Sequence, residues 1–166
     1  MKRFFPSIVC GFSAAVLTTI PGLKEFGCCL VIPLAGGFSL FLDLKMNNSL
    51  LPFQTKKVIW FGFMTGLFAA LFATSFEILI TFITRTNDFI ETLPQSEQVI
   101  RDMNLGNIVE ESLRMMKGVV AEIKQTGFSF FYAVIILFSN LIVDIIFAII
   151  GATIAKIFLN KRTEKI

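Results

Sequence analysis

A chain of 166 residues with 55% hydrophobic content, twenty phenylalanines and a mean hydropathy of +0.77 has too little polar side-chain surface to coat a water-soluble domain, and its composition places it among integral membrane proteins. The formal net charge is only +3, with basic residues standing beside apolar runs rather than in one patch, so no nucleic-acid partner is implied. There is no histidine, which removes the commonest metal ligand and the usual general base, and three cysteines, an odd number, argue against a disulfide framework.

In chain order, Met1-Lys2-Arg3 followed by an apolar run has the opening of a secretory signal. No small-x-small cleavage site follows at Ile20-Pro21-Gly22, so a retained first helix is expected over 4–20. Its small residues Ser7, Gly11, Ala15 and Thr19 recur every fourth position, the spacing that lets two helix backbones approach closely in lipid. Pro21-Gly22 ends it. A second helix is expected over 26–44, and Pro33 and Gly36-Gly37 inside it weaken the helical ladder, which lipid tolerates only where neighbours satisfy the freed backbone groups. That helix is therefore expected to be kinked and covered on at least one side. Lys45 to Lys57 reads as a polar connection. The third helix, over 58–84, carries Gly62, Gly66, Ala70 and Thr74 at four-residue spacing, with Glu77 near the same face. Ile8-Val9-Cys10-Gly11-Phe12 echoes Ile59-Trp60-Phe61-Gly62-Phe63, too few positions to establish a duplication.

Residues 85–127 are polar with a periodic apolar set. Val109, Leu113, Met116, Val120 and Ile123 fall at alternating steps of four and three, the seam of an amphipathic helix. Thr92-Leu93-Pro94-Gln95 has the form of a capping box with proline near the first turn, and Asn104 to Asn107 with Gly106 is expected to divide the segment into two helices. Two readings of the seam stay open: it lies on the chain's own bundle or the lipid headgroups, or it docks a partner. The fourth span, over 128–159, is apolar except for Asn140, Asp144, Lys156 and a few hydroxyls. Asn140 and Asp144 share a face that Ala148, Gly151 and Ala155 continue, so this stripe is expected to meet protein rather than lipid.

With four spans, Lys2, Arg3, Lys45, Lys56, Lys57, Lys156, Lys161, Arg162 and Lys165 lie on one side, against Lys24 and Arg85 near the membrane on the other. The long segment carries five basic and seven acidic residues. Both termini are then expected in the cytoplasm and 85–127 outside it. Asn47-Asn48-Ser49 falls on the cytoplasmic side and reads as a loop rather than a glycan site.

Glu77 and Asp144 are the acids expected well inside the spans, where an ion costs at least about 2.5 kcal/mol on insertion scales and usually faces the bundle. From the expected helix ends Glu77 lies about 10 Å and Asp144 about 24 Å from the outer end of its span, which argues against a shared carboxyl site. Each acid, with Asn140, either ties helices together or carries protons or ions. Cys28-Cys29 are poor disulfide partners and lack further metal ligands, so they read as packing residues. Glu110-Glu111-Ser112-Leu113-Arg114 imitates the Glu-Glu-x-x-Arg motif of the intramembrane proteases that include prenyl-protein endopeptidases, but that family needs histidines and this chain has none. No phosphate-binding glycine loop, nucleophile elbow or zinc spacing occurs.

At Pro21, Cys28-Cys29, Gly36-Gly37 and Gly62-Phe63-Met64-Thr65-Gly66 the chain resembles a loose group of uncharacterised bacterial four-helix inner-membrane proteins. The resemblance implies a bacterial inner-membrane location and a four-helix topology, and supplies no activity or site residue.

The expected architecture is all-α: a single polytopic membrane domain over 1–166 with four transmembrane helices and an extracytoplasmic amphipathic helical segment. Gly11, Ala15, Gly62, Gly66, Ala70, Gly151 and Ala155 are the expected packing residues. The expected function is a non-enzymatic accessory or scaffolding subunit in the bilayer, without cofactor, metal or catalytic residue, forming a homo-oligomer or joining a larger membrane complex. The alternative is a small proton- or cation-coupled transporter or channel.

Overall fold

The computed structural model describes residues 4–20, 22–47, 52–102 and 107–163. Pro21, Lys2, Arg3, Asn48, Ser49, Lys165 and the stretch from Asn104 to Gly106 lie outside them. Among the described residues the chain is helical without strands, in six α-helices: α1 (Phe5–Thr18), α2 (Ile32–Asn47), α3 (Thr55–Thr84), α4 (Asp88–Asp102), α5 (Asn107–Thr126) and α6 (Phe130–Thr163). They group into two compact units, Met1–Phe76 with Ile136–Ile166, and Glu77–Ile135.

Three stretches are long and apolar enough to cross a membrane: Lys24–Asn47, Thr55–Thr84 and Phe130–Lys161. At 1.5 Å per residue the 24-residue stretch spans about 36 Å and the 30-residue α3 about 45 Å, against a hydrocarbon core of about 30 Å. The expected first span is shorter than its 4–20 reading. α1 has 14 residues, about 21 Å. Its end winds down where Thr18 and Thr19 hydroxyls donate to Ala15 O and Val16 O at 2.9 and 2.6 Å, and the chain turns through Gly22 at φ +88°.

The Lys24–Asn47 stretch opens with a 3₁₀ turn at Lys24–Phe26 and a π turn at Gly27–Val31 that run straight into α2. Proline lacks an N–H and its ring crowds the carbonyl four residues back, and the wide π turn just before Pro33 relieves that crowding. Along α6, Ile135, Phe138, Ile142, Ile146, Ile150 and Ile154 are exposed at steps of three and four, while Asp144, Ala148, Gly151 and Ala152 on the opposite face are buried. So continuous an apolar exterior suits hydrocarbon and not water.

Within the first unit the small residues are where helices touch. A Cβ at Gly11 would come within 2.9 Å of the α3 backbone at Thr65 and Ala69, one at Gly62 within 2.7 Å of Ile149 Cα, and one at Gly66 within 2.6 Å of Asp144 O. Gly36 abuts the Ala148 carbonyl, and Gly151 abuts the Pro33 carbonyl so closely that no side chain fits. Gly37 faces Ala155, and Ala15 and Ala70 are wholly buried. The stripes are thus occupied by helices of the same chain. Apolar clusters fill the spaces between: Leu40, Phe53, Val58, Phe61 and Ala152 in one, Ala14, Ile32, Ala69 and Ala148 in the other.

In the second unit α4 begins at Asp88, with Asn87 Oδ1 accepting from Ile90 N at 2.9 Å. That corrects the capping box expected at Thr92 to Gln95. Asn87 already satisfies a free N–H of the first turn, Thr92 Oγ1 donates to Asp88 O at 2.7 Å, and Pro94 sits inside the helix. α4 and α5 are separate helices, joined by the Glu97–Lys117 ion pair at 2.9 Å. α5 ends at Gly127, whose φ of +80° lets its N–H reach Ile123 O at 2.8 Å and whose bare Cα lies against the Phe82 carbonyl.

Candidate functional site

The polar side chains of the apolar helices are placed one by one rather than around a common cavity. Asn140 Nδ2 on α6 donates to Thr74 Oγ1 on α3 at 3.0 Å, tying the two helices on the face where Gly62 and Gly66 let them close. Asp144 is one turn further along α6, 7% exposed, beside the Gly66 backbone. It enters no hydrogen bond or ion pair among the described residues. Glu77, half-buried on α3, belongs to the second unit, where it accepts from Tyr132 Oη at 3.3 Å. The two acids have different surroundings, and of the two only Glu77 has a hydrogen-bond partner among the described residues.

A third acid escapes the sequence reading. Asp43, near the end of α2, is 1% exposed and meets Lys57 Nζ at 2.6 Å and Asn47 Nδ2 at 2.7 Å. The Lys57 ammonium also stands over the rings of Phe53 and Phe61, 5.3 and 5.6 Å from their centroids. Ammonium over an aromatic face is attractive, so a partly desolvated base holds a desolvated acid. Nearby, Lys156 Nζ donates to Thr55 Oγ1 at 2.8 Å and Phe53 N to Asn160 Oδ1 at 3.1 Å, so the start of α3 is bound to the end of α6. Lys45 to Lys57, expected as a polar connection, supplies through Lys57 the base that pairs with the buried Asp43 of α2. The available signal was an acid one turn before the end of helix two with Lys56-Lys57 opening helix three.

The seam of α5 faces inward. Val109, Leu113 and Ile123 are buried, Met116 and Val120 half-buried, and Val119, outside the expected set, is buried with them. Cys10 is buried, and Cys28 and Cys29 are free thiols with sulfurs 3.6 Å apart. No group of three or more potential metal ligands among cysteine and acidic residues occurs among the described residues. One apolar groove of about 400 Å³ lies between α1 and α2, with Ser13 and Ala14 on one wall and Ala35 and Phe38 on the other.

This arrangement can brace helices against one another, and among the described residues Asp144 is a buried carboxyl of the first unit with no hydrogen-bond or ion-pair partner. Comparisons of the chain with protein families, curated proteins and solved structures find no match.

Proposed function

We propose that the chain is a non-enzymatic, multi-pass subunit of the bacterial inner membrane that braces a larger assembly or a homo-oligomer. One observation carries the reading: the polar groups of the apolar helices are used pairwise to join helices, as Asn140 with Thr74, Lys57 with Asp43 and Lys156 with Thr55, rather than to surround a substrate. Interhelical bonds of this kind stabilise packing in lipid by about 1 kcal/mol each and need no catalytic partner. Because the small-residue stripes are filled internally, contact with other chains falls to the exposed apolar faces of α3 and α6. In this reading α1 crosses as a fourth, short span with local thinning of the bilayer, the termini are cytoplasmic, and α4 and α5 stand outside. Blue native electrophoresis after mild detergent extraction tests the role: the chain is expected in a complex above its own mass, and a lone monomer without co-purifying chains refutes it. For orientation, a cysteine placed at Glu97 is expected to react with an impermeant periplasmic reagent and one at Pro52 to be silent. The opposite pattern overturns the topology.

The second reading, a small proton- or cation-coupled transporter, draws on Asp144 alone, since membrane carboxyls without partners mark ion paths in other proteins. It requires reconstituted proton or cation flux that falls when Asp144→Asn is made. Absence of flux in the unaltered chain removes it.

A further inference from the structure

The groove between α1 and α2 is a slot that runs along both helices, open to the outside and apolar apart from the Ser13 hydroxyl and the Cys10 thiol. On α2 its lining extends from Val31 to Leu42, about 16 Å at 1.5 Å per residue, and on α1 from Val9 to Leu17, about 12 Å. One leaflet of a bilayer offers about 15 Å of hydrocarbon, half of a core about 30 Å thick. The slot therefore has the length of a single leaflet. Spread over about 16 Å, its volume of about 400 Å³ gives a section of about 25 Å². A helix about 10–12 Å across needs about 80 Å² or more, so no helix of a second copy or of another protein seats in it, whereas one extended hydrocarbon chain does.

One end of the slot is marked by charge. Phe38, Leu42 and Lys45 follow one another at steps of four and three and share a face of α2. The exposed Lys45 ammonium stands 5.2 Å from the Phe41 ring centroid, and that ring 5.6 Å from the ring of Phe38 in the slot wall. Contacts of Lys57 with Asp43, Lys156 with Thr55 and Phe53 with Asn160 bring the end of α2, the start of α3 and the end of α6 together. Lys45, Lys56, Lys57, Lys156 and Lys161 thus gather at this end, where the acid of α2, Asp43, is taken up by Lys57.

We propose that the slot seats one tail of an anionic phospholipid whose phosphate meets Lys45. A gap beside packed side chains forfeits dispersion contacts, and a tail lying in the slot restores them. An ammonium is a compact point charge that suits a phosphate, and each basic residue near an anionic membrane surface strengthens the attraction. Zwitterionic headgroups carry the same phosphate with a compensating cation, so the lysines select lipids of net negative charge. The proposal rests on the reading of Lys24–Asn47 as a span and adds to the bracing role a lipid of defined charge.

The test melts the full chain, stripped of lipid in mild detergent, with added dioleoyl phosphatidylglycerol or dioleoyl phosphatidylcholine. Phosphatidylglycerol is expected to raise the melting temperature saturably, by about 3–6 °C at ten times its dissociation constant, and phosphatidylcholine to need about fivefold more lipid for the same rise. Lys45→Gln is expected to erase that preference, and Lys56→Gln, a lysine of the same end outside the slot lining, to keep it. Ser13→Trp, which adds a ring to an exposed part of the wall, is expected to shrink the rise with both lipids. Equal midpoints for the two lipids in the unaltered chain overturn the site, as does a loss in Lys56→Gln equal to that in Lys45→Gln. Should Ser13→Trp fail to fold, the two lysine variants decide, since both replace exposed side chains. Flotation with vesicles of the same lipids tests the span separately. A chain that floats without lipid preference loses the slot alone, and one that does not float loses the span as well.

Discussion

Replacing Lys57 by methionine keeps the stem of the side chain among Phe53 and Phe61 and removes only the ammonium 2.6 Å from Asp43. The side chains of the pair differ in burial, 2% exposed for Asp43 and 27% for Lys57, so the loss is asymmetric. Removing the base strands an acid that water cannot reach, which costs about 3–5 kcal/mol. Asp43→Asn leaves a base that is partly hydrated and stacked on two rings, and keeps a hydrogen-bonding group in place, so about 1–2 kcal/mol is expected. At roughly 2–4 °C per kcal/mol for a chain of this size, Lys57→Met should lower the melting temperature by about 6–20 °C and Asp43→Asn by about 2–8 °C. Combining the two should recover most of the loss, because neither charge is then stranded. Melting of the purified chain followed by Trp60 fluorescence provides the measurement. Should Asp43→Asn prove the more damaging change, or the double variant be worse than Lys57→Met, the burial argument is wrong.

Gly66→Leu should prevent folding, because its Cβ would come within 2.5 Å of the Ile145 Cα, whereas Gly118→Ala on α5 meets open space and should stabilise by about 0.5–1 kcal/mol. Size-exclusion profiles after heating separate the two, and a monodisperse Gly66→Leu protein refutes the close crossing of α3 and α6. A double-mutant cycle with Asn140→Ala and Thr74→Val should return a coupling of about 0.6–1.7 kcal/mol, and a coupling of zero means the 3.0 Å bond ties nothing. Asp144→Asn should leave stability equal or raise it, because an amide of the same shape brings no charge into the bundle. A loss above about 1 kcal/mol in the unfolding free energy shows instead that the carboxylate is held by something.

Several features are legible in order along the chain. The long apolar runs define α3, α6 and the 24–47 stretch as helices able to cross a membrane, because a helix in lipid needs length and little else. The four-residue spacing of Gly62, Gly66 and Ala70, and the steps of four, three and four from Asp144 through Ala148 and Gly151 to Ala155, mark which faces turn inward, since helical periodicity is a local property. The seam of α5 is legible for the same reason, although its inward direction is not. The end of α1 was overextended, since hydroxyl-to-backbone bonds at Thr18 and Thr19 compete with the helix in a way hydropathy does not register. The start of α4 was misplaced because two residues of the Asn, Asp, Ser and Thr class compete for the same capping role, and only one meets a free N–H.

Periodicity says that a face must be covered and is silent on what covers it. Asp43 and Lys57 stand fourteen positions apart across a polar connection, Asn140 and Thr74 sixty-six, and Gly151 meets Pro33. Each meeting depends on the sliding register of whole helices, which many small contacts settle jointly. By itself, then, the sequence determined the helical class, the lipid-seeking exterior and the small-residue inner faces of this protein. Only the tertiary structure decided that Asp43 is buried against Lys57 and that Asp144 and Glu77 live in separate surroundings, because hydrogen bonds and charge pairs depend on where distant turns come to rest.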